Sequence, residues 1–464
     1  MRKVLLITLL FSIFVLKAQN KPVLYGFDNI PQGLLLNPGQ ETTYRAHLGI
    51  PMISGLHASA GISGFTLSDL FGVDGTGVVG NTDFNAKLAT VLDNLGTKDY
   101  LTVNAQVEVL SGGYKLTEQD YLSVGYYTEL DAFVGFPKDL ILLGLEGNYP
   151  DNIGKTYYAS DVAFKADLLG VIHAGITRKF NNRFTGGARL KIYSGALNVT
   201  STRNEGTLTT NEGVNGIYDH NLFNLDVAGY SSGIVDENDE TDHLTVGSVF
   251  GNTFLSKNFG LGIDLGFTYH MNEQIEFTAS LLDVGFLSYS KNTRNFYVNG
   301  DYHFSGVDFV YDGNVDYYEE YGQDFQERVA YSDDRESYAV SRPVKFNGSV
   351  RYSFGQSRYE STCHDIRMKD YYDNAVGAQF FSVFRPYGMR MAFTGFYERR
   401  LADFLNTKVT WTVDDFSATN IGLGISAQVW KFNVYGAINN IFGLNDVTST
   451  NTAGVQFGIN LLFN

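Results

Sequence analysis

Cysteine is almost absent: Cys363 stands alone among 464 residues. A single thiol excludes an internal disulfide and a thiolate metal cluster. Proline is scarce, with 8 residues, and tryptophan scarcer, with 2. Positive charge is also in short supply. Lys and Arg number 34 against 50 Asp and Glu, a formal net charge of −16, which excludes a nucleic-acid surface and suits cation binding in loops. Beyond the first twenty residues no apolar run reaches the roughly 20 residues that a membrane-crossing helix needs. A mature chain in a membrane must therefore cross it as a closed barrel.

What is abundant is glycine (50), phenylalanine (35) and tyrosine (30), a mixture that favours strands and glycine turns over helices. The chain opens MRKVLLITLLFSIFVLKAQN. Arg2 and Lys3 form a basic start, Val4 to Leu16 an apolar run, and Ala18 a small residue at the cut, so residues 1–19 read as a secretory signal peptide. With no Cys beside the cut, a lipoprotein anchor is not expected. Residues 20–464 are then the mature unit.

Alternation of side chains dominates that unit. In the last segment, AGVQFGINLLFN, Val455, Phe457, Ile459, Leu461 and Phe463 share one face, because successive strand side chains point to opposite sides. The opposite face carries Gly454, Gln456, Gly458 and Asn460. The same split recurs in IGLGISAQVW, GLGIDLGFTYH, GMRMAFTGFY and KFNGSVRYSF, each about 10 residues, the length of a tilted membrane strand. A soluble sandwich alternates too, but its wet outer faces favour bulky charges, whereas these polar faces are rich in Gly, Ser, Asn and Gln. Tyr269, Tyr397, Trp411, Trp430 and Phe463 fall near strand ends, where interfacial aromatics belong. The fold class expected is all-β: a single closed antiparallel transmembrane barrel of about 14 strands, starting near residues 44, 99, 119, 163, 184, 260, 274, 346, 375, 388, 403, 420, 431 and 454. Short connections at 180–184, 270–274, 398–403 and 429–432 read as periplasmic turns, and 201–258 and 290–344 as long extracellular loops. Residues 81–96 and 136–148 read as helices in a loop or plug.

The motifs come in a specific order: LLLNPGQETTYRAHLGIPMIS (34–54), SDLF (68–71), PKDLILLGLEGN (137–148), RLKIYSGALNV (189–199), LGIDLGFTYH (261–270), LLDVGFLSYSKN (281–292), FSGVDF (304–309) and NNIFG (439–443). This series resembles an uncharacterised family of outer-membrane barrels from Bacteroidota, filed as a domain of unknown function. It is more loosely similar to the fatty-acid-transporter class of 14-stranded barrels and to type IX secretion barrels. The resemblance implies a Gram-negative outer membrane and an N-terminal segment, residues 20–43, folded inward. The partners it implies are membrane lipid and lipopolysaccharide, the barrel-assembly machinery and other outer-membrane proteins. Asn37 and Pro38 then mark architecture, not a ligand.

Chemistry is sparse. GYSSG (229–233) matches a nucleophile elbow around Ser231, but that motif needs a following helix, and IVDENDETDH follows instead. His173, His270 and His303 form no catalytic set with it. No enzyme and no cofactor is therefore expected. Asp312, Asn314 and Asp316 offer side-chain oxygens at alternate positions, a spacing that can hold calcium, although a solvated acidic loop, like 236–243, is the simpler reading. Aromatics of 317–340 read as the core of a long loop. Arg189 and Lys191 form a lumen basic ladder that could draw anionic solutes or pair across the lumen with Asp264 or Glu276. Two functions are consistent with all this. One is a non-enzymatic channel or transporter for a small solute, hydrophobic ones included. The other is a structural or accessory subunit of an outer-membrane secretion, gliding or barrel-assembly complex.

Overall fold

The structure is a computed structural model and describes the chain except residues 1–20, 75–76, 80–83, 147–151, 214–217, 235–250, 255, 257, 306–324, 326, 357–371, 445 and 464. The proposed signal peptide, Cys363, the acidic run 236–243 and the calcium candidates Asp312, Asn314 and Asp316 lie outside the described residues.

Fourteen antiparallel strands close on themselves. β1 runs Ala46–Gly49 and, after an irregular stretch at 50–55, Leu56–Ile62; β2 is Asp99–Lys115, β3 Asp120–Phe136, β4 Phe164–Lys179 and β5 Phe184–Glu212. β6 is Phe259–His270, β7 Ile275–Tyr289, β8 Lys345–Gln356, β9 Tyr372–Arg385 and β10 Gly388–Ala402. β11 is Leu405–Val413, β12 Asn420–Val429, β13 Phe432–Ile438 and β14 Thr452–Phe463. Every start falls within three residues of the position read from alternation. Closure joins β14 to β1, with Ala46 opposite Phe463 and Gly49 opposite Asn460, so no barrel edge is left to pair with another chain.

The wall is inverted relative to a water-soluble protein. Outward positions are large and apolar: Leu190 is 67% exposed and Leu261 61%, and Val455 and Phe457 of β14 face the same way. Inward positions are polar and buried, among them Asp264, Lys408, Asn433 and Asn460, each at 0% exposure. An apolar belt around a polar interior is what a barrel in lipid requires.

Two sequence expectations need correcting. The stretches read as long loops, 201–258 and 290–344, contain strand. β5 continues to Glu212 and pairs with Tyr218–Ser232, which pairs in turn with Thr293–Phe304 and then Ala330–Asp334. These extensions escaped the alternation test because TRNEGTLTTNE is polar on both faces, as a sheet rising clear of an apolar belt should be. Residues 398–402 belong to β10, so that connection is only Asp403 and Phe404. The two stretches read as helices are helical at Phe84–Asn94 and Lys138–Glu146. They pack on the long-loop side, where Val91, Leu92 and Leu95 meet Leu88, Ile141 and Leu142.

Candidate functional site: a two-compartment lumen

Residues 21–45 cross the inside of the barrel. They lack strand alternation yet bury Val23, Tyr25, Ile30 and Leu34 to within 3% exposure, which places an apolar run inside a polar wall. A short 3₁₀ turn, Pro31–Leu35, begins on proline, whose fixed φ suits a first helical position. The wall holds this segment mainly through side chains. Gln32 donates to Glu108 on β2 and to Asn460 on β14. Gln379 on β9 and Lys408 on β11 both donate to the Tyr25 carbonyl, at 3.2 and 2.7 Å. Ser280 on β7 donates to the Leu36 carbonyl at 2.6 Å, and Arg189 to that of Leu34.

The turn at Asn37 and Pro38 docks against two inward glycines. A Cβ on Gly187 would stand 1.9 Å from the Pro38 carbonyl oxygen, and one on Gly266 2.2 Å from Asn37 Oδ1. Glycine is needed there so that one backbone can approach another. Thr177 donates to the Pro38 carbonyl at 2.6 Å and Thr268 to that of Gly39 at 2.9 Å. Glu41 accepts from Thr185 and meets His270 Nε2 at 3.1 Å.

On the long-loop side of this segment lies a chamber of about 90 Å³, lined by Lys21, Leu35 and Leu36 of the segment and by His57, Tyr127, Glu129, Lys345 and Phe381 of the wall. Buried ion pairs surround it. Arg189 Nη1 is 3.3 Å from Asp264; Lys191 Nζ is 2.8 Å from Asp264 and 2.6 Å from Asp283. Lys345 Nζ reaches Asp283 at 2.9 Å and Glu129 at 3.5 Å. Arg342 joins Glu129 at 3.1 Å to Asp167 at 3.4 Å, and Arg385 pairs with Asp131. Five carboxylates and five cations are thus matched, as buried charges must be. Arg189 and Lys191, read from sequence as a lumen basic ladder, are buried and pair with Asp264 and Asp283, while Glu276 sits 3.7 Å from His270.

Asp283 is the residue that sequence reasoning missed. A register shift lies between Ile263 and Leu265 in the β6–β7 ladder, and Asp283 takes φ 60, a left-handed conformation uncommon outside glycine. The bulge turns Asp283 inward beside Leu282, and its N–H donates to Asp264 Oδ1 at 2.7 Å; re-aiming a side chain is a known use of bulges. A signal was there, since Asp283 interrupts the apolar run Leu281, Leu282, Val284.

The chamber's far end is covered by the turn after β11. Phe416 packs against Tyr100 and Phe133, the Tyr100 hydroxyl donates to Asp415, and the Arg390 guanidinium stands 4.7 Å over the Tyr100 ring. Asp414 Oδ1 accepts from the N–H groups of Phe416 and Ser417 at 2.9 and 3.0 Å, and burial pushes its carboxyl up to about 7.

On the short-turn side of residues 21–45 a second space of about 640 Å³ is lined by Phe27 and Asp28 of the segment and by Arg351, Glu398, Gln428 and Asn433 of the wall. Arg351 bridges Asp28 at 3.5 Å and Glu398 at 3.0 Å.

Ser231 lies inside the strand Tyr218–Ser232 and donates to the Arg294 carbonyl at 2.7 Å, with no elbow geometry. Of the 317–340 aromatics, Phe325 stacks edge-on to Tyr302 with ring centres 5.0 Å apart, and Tyr331 is exposed.

A family of unknown function, DUF5723, has a model that matches residues 38–439. No curated protein matches the chain. Among solved structures the chain is similar to the Ralstonia pickettii toluene transporter TbuX, at 11% identity over 95% of this chain and 99% of that one, with a TM-score of 0.40. It is similar to a Pseudomonas aeruginosa FadL homologue at 9% identity, covering 94% and 95%, TM-score 0.42. It is also similar to the Pseudomonas putida toluene transporter TodX at 10% identity, covering 94% and 93%, TM-score 0.36.

Proposed function

The chain belongs to this family of unknown function, and on that premise we propose that it is a non-enzymatic outer-membrane barrel that conducts a small solute through a lumen gated by residues 21–45. The observation that carries the proposal is the division of the lumen. A chamber on the long-loop side and a larger space on the short-turn side are separated by one stretch of chain. That stretch lies against the wall through side-chain hydrogen bonds and through the docked turn at Asn37 and Pro38. Such contacts contribute about 0.5–1.5 kcal/mol each, so they can be released in steps, which a covalent or fully packed plug cannot do.

The inverted wall supports the membrane location, and the signal-like start supports export to the outer membrane. The chamber supports a broad solute class: Tyr100, Tyr127, Phe381 and Phe416 line it together with the paired charges, so a solute with an apolar body and a polar end meets both kinds of surface. The test is flux. Purified chain in liposomes should pass small organic solutes, and Gln32→Ala, which removes two anchors, should pass them faster. Liposomes that stay as tight as protein-free ones, with the native chain and the variant alike, would reject the conduit.

A further inference from the structure

The outer wall carries a feature that the lumen does not explain. Over β4–β8 the apolar belt is hollowed into a groove of about 560 Å³ with almost wholly apolar walls. Gly186 and Ala188 on β5 and Ala279 on β7 face outward on its floor, while Phe184, Phe267 and Phe346 stand around it. Elsewhere on β5 the outward residues are large, Leu190 and Ile192. The groove climbs from the short-turn rim toward the middle of the belt, a course set by the register that places Gly186 beside Arg178 and Phe267 opposite Ala279.

Arg178 stands at its lower mouth. It is the last outward position of β4, follows Ile176, and its side chain is 53% exposed. A guanidinium on a lipid face costs about 2–4 kcal/mol at mid-membrane and about 0–1 near the interface, so its place is the headgroup level. Its carboxylate neighbour is Asp120, at 3.6 Å, too long for a hydrogen bond. Lys179 follows it, and Arg183 lies in the turn to β5, where its carbonyl accepts from the His270 N–H of the adjoining strand end. Arg178 is the cation that faces the groove itself, with Ile176 above it on the same outward side of β4.

We propose that this groove is a binding site for an anionic phospholipid of the leaflet on the short-turn side, with an acyl chain laid over Gly186, Ala188 and Ala279 and the phosphate at Arg178. The arginine fork matches a phosphate geometrically, and the groove directly above it takes the chain that the headgroup carries. A second copy of the protein fits less well, because a two-fold contact here would set Arg178 near its own copy. The site rests on the reading that the barrel spans a membrane.

The test places the full chain in nanodiscs of phosphatidylcholine doped with phosphatidylglycerol, followed by native mass spectrometry of the released protein. Phosphatidylglycerol should be retained over phosphatidylcholine. Arg178→Gln should weaken that retention about fivefold, the effect of one basic side chain at an anionic membrane surface. Ala279→Leu, which fills the groove and keeps the charge, should weaken it as well while the heat-modifiable mobility of a folded barrel persists. Equal retention of the two lipids, no change in either variant, or a dimer that Ala279→Leu splits would each overturn the site. A chain that never enters the disc would instead sink the membrane reading on which it rests.

Discussion

Gln32 and Asn460 exchange two hydrogen bonds, Gln32 Nε2 to Asn460 Oδ1 at 2.9 Å and Asn460 Nδ2 to Gln32 Oε1 at 3.0 Å. Residues 428 positions apart in sequence are thereby joined, and the strand that closes the barrel also fastens the segment that crosses its lumen. Asn460→Ala leaves the buried Gln32 amide short of partners, at a cost of about 1–3 kcal/mol. Hydrogen exchange at residues 23–36 should accelerate while exchange in β6 and β7 stays unchanged. Uniform acceleration would show that the segment and the wall open as one unit.

Gly187 offers a sharper probe. Its missing Cβ makes room for the Pro38 carbonyl, so even Gly187→Ala drives backbone against backbone, and overpacking of this kind costs about 1–3 kcal/mol. The barrel keeps its strands, and the strain is relieved by displacing the turn at Asn37 and Pro38. Solute flux should rise above that of the native chain. Flux at the native level, with the variant folded, would mean that the turn does not gate.

The ion network makes a stability prediction. Asp283→Asn leaves Lys191 and Lys345 facing one carboxylate fewer at the bulge, and removing one partner of a buried pair costs about 3–5 kcal/mol. Urea unfolding in detergent should shift accordingly. The double variant Asp283→Asn, Lys191→Met should recover part of that loss, whereas additive losses would show that the two residues do not act as a pair.

Acidity should act through the turn over the chamber. Asp414 holds its proton up to about 7 in the folded chain, above the roughly 3.9 of an unfolded aspartate. A raised carboxyl contributes stability that is complete below the unfolded value and is lost as pH rises through about 7. Exchange of the Phe416 and Ser417 amides should therefore quicken as pH rises from about 5 to about 8, beyond the intrinsic base catalysis seen at other exposed turns. Asp414→Asn should remove that excess.

Sequence reached the wall more easily than the lumen. Period-two alternation located all fourteen barrel strands, because an apolar belt forces every second residue of each strand, and Leu190 and Ile192 could be read as outward before any contact was known. It failed where both faces are wet, as in residues 201–212. The chamber was legible only in part. Arg189 and Lys191 stood out as neighbours on one strand, but Glu129 and Arg342 are separated by 213 positions, and each looks like an isolated inward charge until the register of six strands brings them together. Asp283 was hidden for another reason: a bulge reverses its side, and strict alternation would assign it wrongly.

The most direct test of the gated lumen is the single-channel conductance of residues 20–464 beside the same chain lacking residues 21–40, both refolded and inserted in planar bilayers. The full chain should be nearly silent, with brief openings, and the shortened chain should hold a steady open level. A shortened chain that folds, inserts and stays as silent as the full one would contradict the gate.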